Sequence, residues 1–370
     1  MLERIVLQGF KSFRELDLAL GRINVLIGAN GSGKSNFIQV FQMMSRAMNQ
    51  GLQTYVAKAG GANQLLHYGR RVTEQMRLEF WFDRGSMKAN GYAVTLLPTD
   101  ADTLVLTDET CFFHDRAHYD RPYSRSTEMS PHPEAMLPLW AAQERGVPRY
   151  VWGAMRSWQV YHFHDTSDVA QVKQTGDLHD NAFLRPDAAN LAAYLYLLRE
   201  TAPERYRAIV ETVQMAAPFF GDFVLRPSPF NPDKIRLEWQ ERGSDALFGP
   251  NVLSDGTLRF ICLATLFLQP RERLPTTIIL DEPELGLHPY AIVLLADMVR
   301  AAAVHTQVVL STQSVTLVNQ FTPEEILVVD REQGISTIRR LSADETAHWL
   351  ERYGLGDLWE KNLIGGRPAR

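Results

Sequence analysis

Cysteine is nearly absent: Cys111 and Cys262 are the only two in 370 residues. They lie far apart and no CxxC occurs, which excludes a disulfide framework and a cysteine zinc site. Long apolar runs are missing as well. The longest, Leu258 to Leu268, contains Arg259 and falls short of the ~20 residues a spanning helix needs. The N-terminus, Met1-Leu2-Glu3-Arg4-Ile5, carries an acid where an export signal needs an apolar stretch. These absences predict a cytoplasmic protein with reduced thiols and no membrane partner. There is no internal repeat, no low-complexity tract and no sustained heptad, so no coiled coil is expected. No charge sign dominates either. The 38 basic and 43 acidic residues leave a net charge of −5, which excludes a uniformly basic nucleic-acid coat but not a local basic patch. No HExxH, HNH-like or nucleophile-elbow pattern points to a second catalytic centre.

What is present is a chain with 45% apolar and 22% charged residues, enough to bury a large core. Its length gives a prior of about two domains. The first sixty residues hold seven lysines and arginines against three acids, so they are +4 and the remainder is −9. Residues 4–8 and 17–20 read as short strands around a polar turn. Ile23 to Ile27 is a nearly continuous apolar strand, as buried parallel strands are. After a Gly-rich loop, Phe37, Ile38, Phe41, Met44 and Ala47 recur at helical steps. From about residue 53 the period changes to two. Met76, Leu78, Phe80 and Phe82 share one strand face, with Gln75, Arg77, Glu79 and Trp81 on the other. Strands near 91–97 and 103–113 complete an antiparallel meander. Residues 114–135 read as loop. Residues 190–200 and 204–219 are helical, and 234–239 is a strand. Helix 256–268, strand 276–281, helix 289–303, strand 307–312, helix 314–320 and strand 325–330 alternate, which predicts a helix-covered parallel sheet.

Three segments carry chemistry. Gly28-Ala29-Asn30-Gly31-Ser32-Gly33-Lys34-Ser35 fits GxxxxGK[ST] between a strand and a helix, the context this phosphate-binding loop requires. Its glycines let backbone N–H groups converge on phosphate oxygens, and the helix N-terminus adds positive potential. Lys34 would pair with the β- and γ-phosphates of ATP, and the Ser35 hydroxyl would ligate Mg2+. Thr277-Ile278-Ile279-Leu280-Asp281-Glu282 is an apolar strand ending in two acids, at the sheet edge where α/β proteins place ligands. Asp281 would hold Mg2+ through water, and Glu282 would be the general base on the attacking water. Leu253-Ser254-Asp255-Gly256-Thr257 precedes an apolar helix; alone it reads as an N-cap.

The order of these segments, with Gly9 to Phe13 (GFKSF), Gly28 to Asn36 (GANGSGKSN) and Leu280 to Pro289 (LDEPELGLHP), resembles the ABC-type ATPase heads of the SMC/RecF class. The resemblance is strong over residues 1–50 and 250–330, and the tail 353–368 is similar to stand-alone bacterial ATPases of this class. It implies an α/β P-loop NTPase with a parallel core sheet, an antiparallel β lobe and a helical insertion. Gly28, Asn30, Gly31, Ser32, Gly33, Lys34, Ser35 and Asn36 would bind nucleotide. Ser254, Asp255 and Gly256 would complete the site of a second subunit in a head-to-tail dimer around two ATP-Mg2+. Asp255 stands where the class often has glycine, and Thr257 where it often has glutamine. Glu284 to His288 matches the D-loop of the dimer interface. Gln313 replaces the usual histidine and carries no proton or positive charge to the γ-phosphate, so Lys34, Glu282 and Gln313 form a slow catalytic set.

Between Ser35 and Leu253 lie 217 residues. With no heptads they are expected to fold as a compact insertion. The domain expectation is a split core, 1–52 and 250–370, around an inserted lobe at 53–249: antiparallel β at 53–113, mixed at 114–189, helical then strand at 190–249. The chain ends soon after the core, which implies a separately encoded effector, perhaps nuclease-like by the habits of the class, in anti-phage defence or DNA repair. The alternatives are a RecF-like DNA clamp or loader and an ATP-stabilised scaffold with little turnover. Lys11 and Arg14 are candidates for nucleotide or DNA-phosphate contact, with plain solvation as the alternative. His114 and His118 are spaced as a ligand pair in a loop-like setting. His162 and His164, next to Asp165, read as an ordinary polar strand face. The stretch Arg116, Tyr119, Arg121, Tyr123, Arg125 interleaves basic and aromatic residues as nucleic-acid contacts do, or as a solvated loop does.

Overall fold

The computed structural model describes residues 1–83, 85, 87–127, 131–350 and 352–366. A six-stranded sheet runs in the order Ile335–Arg340, Ile326–Glu332, Ile23–Ile27, Gln307–Ser311, Thr277–Asp281, Gln159–Tyr161. All of its pairings are parallel except the hairpin Ile326–Glu332/Ile335–Arg340. Its central strands bury both faces, which explains their unbroken apolar runs. Val25, Ile27, Ile278, Leu280, Val308 and Leu310 face one core, packed by helices Leu191–Thr201, Pro203–Ala216, Asp255–Leu268 and Pro289–Ala303. The alternate residues Leu26, Ile279 and Val309 face a second core that holds helix Lys34–Met48 and an antiparallel sheet. This two-residue alternation lets one sheet serve two cores.

The antiparallel sheet has the order Phe13–Ala19, Leu2–Phe10, Met76–Asp83, Lys88–Pro98, Leu104–Asp115, Tyr123–Thr127. The chain therefore crosses the expected division at residues 52/53 and 249/250. Leu2–Phe10, placed with the core half by sequence, pairs with Met76–Asp83 of the lobe. Gln159–Tyr161, placed in the lobe, is the edge strand of the parallel sheet beside Thr277–Asp281. At three residues it is too short to show any periodicity.

Other expectations change too. Period two does not begin near residue 53, because Leu52–Lys58 is a helix whose Leu52 and Val56, four apart, are buried; Ala62–Leu65 is a second helical turn. Trp81, on the strand face opposite Met76, is not exposed there. It is buried against Phe112 at 5.3 Å between ring centroids, and its Nε1–H donates to Glu79. The 114–135 loop contains the edge strand Tyr123–Thr127, paired with Leu104–Asp115; its polar sequence suits a sheet edge and gives no strand signal. Residues 128–130 of that loop lie outside the described residues. The single strand expected at 234–239 is split between two small sheets, as Asn231–Ile235 and Trp239–Glu241. Ile335–Arg340 and helices Ala343–Leu350 and Leu355–Glu360 carry too few apolar residues to announce themselves, yet Leu355, Leu358 and Trp359 are core residues.

Candidate functional site

The loop between Ile23–Ile27 and Lys34–Met48 opens at the carboxyl end of a central parallel strand. Gly31 and Gly33 have φ of 77° and 122°, which L side chains rarely adopt. A Cβ on Gly33 would also run into the Ser336 hydroxyl and lie 3.0 Å from Ser12 Oγ. Asn30 and Gly31 are exposed at the tip, and Ser35 is exposed at the helix start. Lys34 is folded back, with Nζ donating to the carbonyls of Gly28 at 2.6 Å and Ala29 at 3.1 Å. Burial pushes its pKa down, opposed by the charges of Glu282, Asp281 and Glu284. Ser32 Oγ is buried with no described partner. Asn36 Nδ2 donates to Ser12 Oγ at 2.8 Å, tying the helix to the turn between the first two strands.

The acids sit across from this loop. Asp281 and Ser311 are register partners on neighbouring parallel strands, and the Ser311 hydroxyl donates to Asp281 Oδ1. Ser35 Oγ reaches Asp281 Oδ2 at 3.4 Å. Both are hard oxygen donors, which fits Mg2+. Glu282 has a left-handed backbone, φ 45°, and its N–H donates to the Ser311 carbonyl at 3.0 Å. Such strain in a non-glycine residue persists only where the surroundings fix it. The Gln313 side-chain amide donates to Glu282 Oε1. The structure thus gathers Lys34, Ser35, Asp281, Glu282 and Gln313 at one end of the sheet.

Four further residues hold places that the sequence reading did not give them. Glu284 is buried, and its Oε1 accepts from Thr312 Oγ1 at 2.6 Å and from the Gln313 N–H at 3.0 Å. Its Oε2 is buried without a described partner, and burial raises its pKa. His162 and His164 lie just past the edge strand, not on its face. His164 Nε2 bonds the Asp281 carbonyl at 2.8 Å, so this nitrogen carries the proton. His162 Nε2 is 2.8 Å from Gln42 Nε2, and burial lowers its pKa. Arg259, buried behind Ser254, donates to the carbonyls of Phe163 at 2.9 Å, His164 at 3.2 Å and Leu285. No sequence period marks these groups, because strand pairing alone brings 162–164 to Asp281.

Ser254 caps helix Asp255–Leu268 by accepting from the Thr257 N–H at 3.2 Å. A Cβ on Gly256 would meet the Gly286 carbonyl, so the signature turn is packed on the D-loop turn. Among the described residues no hydrogen bond joins Ser254, Asp255 or Gly256 to the phosphate loop of the same chain. Arg116 pairs with Glu3 and Arg125 with Glu144, so two of the three arginines of the basic-aromatic stretch are neutralised in place. His114 bonds the Tyr119 carbonyl, and His118 pairs with Asp115. Among the described residues no three His, Cys, Asp or Glu side chains group to hold a metal. Among the described residues no helix is long and apolar enough to cross a membrane.

A family model described as "AAA domain, putative AbiEii toxin, Type IV TA system" matches residues 23–78 and 114–319. An "OLD nuclease" of Thermus scotoductus is 23% identical over 378 residues, covering 96% of this chain and 68% of that relative. Among solved structures, an Smc head bound to the C-winged helix domain of ScpA superposes with a TM-score of 0.63 at 14% identity, over 94% of this chain and 99% of that one. A Pyrococcus furiosus Smc head with an extended coiled coil gives a TM-score of 0.54 at 15% identity, over 95% and 98%. The fold is that of SMC-type P-loop ATPase heads.

Proposed function

This chain belongs to the AAA-domain family of putative AbiEii toxins of type IV toxin–antitoxin systems, and on that premise we propose that it is a slow ATPase switch. It binds ATP-Mg2+ at Gly28–Asn36, closes head-to-tail with a second copy, and controls a partner effector. The observation that carries this reading is the convergence on Asp281. Ser35 approaches it from the phosphate-loop helix, while Gln313 contacts the neighbouring Glu282 from the next strand.

Each residue has a task. Lys34 leaves the Gly28 and Ala29 carbonyls and pairs with the β- and γ-phosphates, exchanging neutral acceptors for charged ones. Ser35 and Asp281 would hold the magnesium, which would supply neutralisation of phosphate charge. Glu282 orients the attacking water and takes its proton. Gln313 fixes one Glu282 oxygen but brings no positive charge to the leaving phosphate, which supports turnover below ~1 per second against a median near 10 for enzymes. The free Ser254–Gly256 turn is a capped helix N-terminus suited to the γ-phosphate of a partner's nucleotide. A nuclease-named relative supports a defence or repair role with a nuclease-like effector.

The test is light scattering of Glu282→Gln with and without ATP-Mg2+. The expected result is an ATP-dependent dimer that persists in the variant and turns over slowly in the wild type. A monomer in both conditions would remove the switch. Unchanged turnover in Glu282→Gln would remove the assignment of the base.

A further inference from the structure

Residues 354–366 join two parts of the nucleotide site. Helix Leu355–Glu360 fixes this segment in the core through Leu355, Leu358 and Trp359. Past the helix, the Arg339 guanidinium donates to the Ile364 carbonyl at 2.8 Å, and the Gly366 N–H donates to Asp330 Oδ1 at 2.7 Å. Trp359 Nε1 lies 3.5 Å from the Gly366 carbonyl. Gly366 is thereby pressed onto the phosphate loop. A Cβ there would lie 3.3 Å from Gly28 Cα, with Trp359 Nε1 and Val328 Cγ1 at 3.2 Å. Gly28 is close to the strand Ile326–Glu332 as well, since a Cβ on Gly28 would run into the Val329 carbonyl. The carbonyl of this same Gly28 accepts from Lys34 Nζ at 2.6 Å.

The other end of the segment grips the helix Val315–Val318, which begins two residues after Gln313. The Gly356 N–H donates to Asn319 Oδ1 at 2.7 Å, and a Cβ on Gly356 would run into the Val315 carbonyl. A Cβ on Gly354 would likewise meet Asn319 Oδ1. Leu355 and Leu358 share their core with Leu317 and Val318. One short folded segment therefore touches the loop that carries Lys34 and the helix that follows Gln313. Close-packed interiors compress little, so a shift at either contact is passed on rather than absorbed.

We infer that residues 354–366 are a positioning strap for ATP turnover. Gly366 sets the place of Gly28, and through the Gly28 carbonyl that of Lys34. Gly356 sets the place of the helix that follows Gln313, and so the contact of Gln313 with Glu282. Both glycines act through another residue, so they are positioning residues. This rests on the reading that residues 28–36 hold the triphosphate. The two ends of the strap act on different steps: Gly366 on nucleotide affinity, Gly356 on kcat.

The experiment compares matched alanine variants of the full chain. Gly365 and Gly366 have φ of 79° and 78°, so alanine strains the backbone alike at both. A Cβ on Gly365 faces Asp330, Val328 and Arg339 rather than Gly28. Calorimetry with ATP and with inorganic tripolyphosphate, each with Mg2+, reads the phosphate loop, and steady-state phosphate release reads kcat. Gly366→Ala is expected to weaken both ligands about tenfold, within what a misplacement of about 1 Å costs, while Gly365→Ala leaves both within about twofold. Gly356→Ala is expected to lower kcat about threefold with both affinities within about twofold. Equal losses of affinity in Gly365→Ala and Gly366→Ala, or none in either, overturn the strap and leave the phosphate-loop reading standing. A Gly356→Ala variant with the wild-type kcat also overturns it. A wild type that binds neither ligand overturns the phosphate-loop reading as well. Where an alanine prevents folding, Asp330→Ala frees the Gly366 N–H and Asn319→Ala frees the Gly356 N–H. The same split is then required, affinity lost in the first and kcat in the second, and its absence overturns the strap.

Discussion

The backbone N–H of Gln313 donates to the Glu284 carboxylate at 3.0 Å while the Gln313 side chain donates to Glu282. One residue is thus held by a buried acid and itself holds the proposed base. Glutamine donates but brings no positive charge, so Gln313→His is expected to raise turnover several-fold, because an imidazolium can stabilise the charge developing on phosphate. Gln313→Ala is expected to lower kcat by about tenfold with KM nearly unchanged. Steady-state phosphate release checks both. A wild-type turnover well above ~1 per second that Gln313→Ala leaves unchanged would refute the role.

Glu284 should reveal itself through pH. Burial raises its pKa in the folded state. The folded chain therefore binds this proton more tightly than the unfolded chain does, and stability falls as pH rises from the unfolded value through the raised one. The isosteric Glu284→Gln keeps an acceptor for Thr312 and Gln313 and removes the charge. Its stability relative to wild type is expected to improve steadily over that rise. Urea titrations across the range check this, and a difference independent of pH would contradict it.

The sequence made the phosphate loop, the acidic strand end and the Ser254 cap readable, because each needs particular residues at fixed local spacing. Gly33 has to be glycine, and Ser254 sits immediately before the helix it caps. What could not be read was set by pairing. Residues 159–161 join the parallel sheet through a register with 278–280, far along the chain, and this alone carries His164 to Asp281. Glu284 was legible only as part of the D-loop, yet it is buried and accepts from the Thr312 hydroxyl, a residue 28 positions along the chain.

Lys34 is held by two neutral carbonyls within the chain's own loop, so its charge awaits a stronger partner. Lys34→Ala is expected to remove the ATP-dependent rise in thermal stability that the wild type shows. A ligand at 100 times its Kd stabilises by about 2.7 kcal/mol, which a melting curve resolves easily. The variant without nucleotide should melt near the wild type, since among the described residues the lysine makes no ion pair.

Arg259 ties two loops through the carbonyls of Phe163 and His164 on one and Leu285 on the other, with no carboxylate among its described hydrogen-bond partners. Burial lowers its pKa, with the charge of Asp255 opposing. The guanidinium fork spans acceptors on two separate segments at once, which a lysine ammonium cannot do from one point. Arg259→Ala strands the buried Phe163 carbonyl, at about 1–3 kcal/mol when left unpaired, and loosens the part-buried contacts to His164 and Leu285. Arg259→Lys is therefore expected to recover little of the loss, with both variants unfolding at clearly lower urea than the wild type. Because His164 grips the Asp281 carbonyl, the loosened 162–164 segment should also lower kcat while leaving nucleotide affinity within about threefold. Stability lost without any change in kcat would confine Arg259 to holding the fold, whereas kcat lost together with affinity would mean the phosphate loop itself had moved.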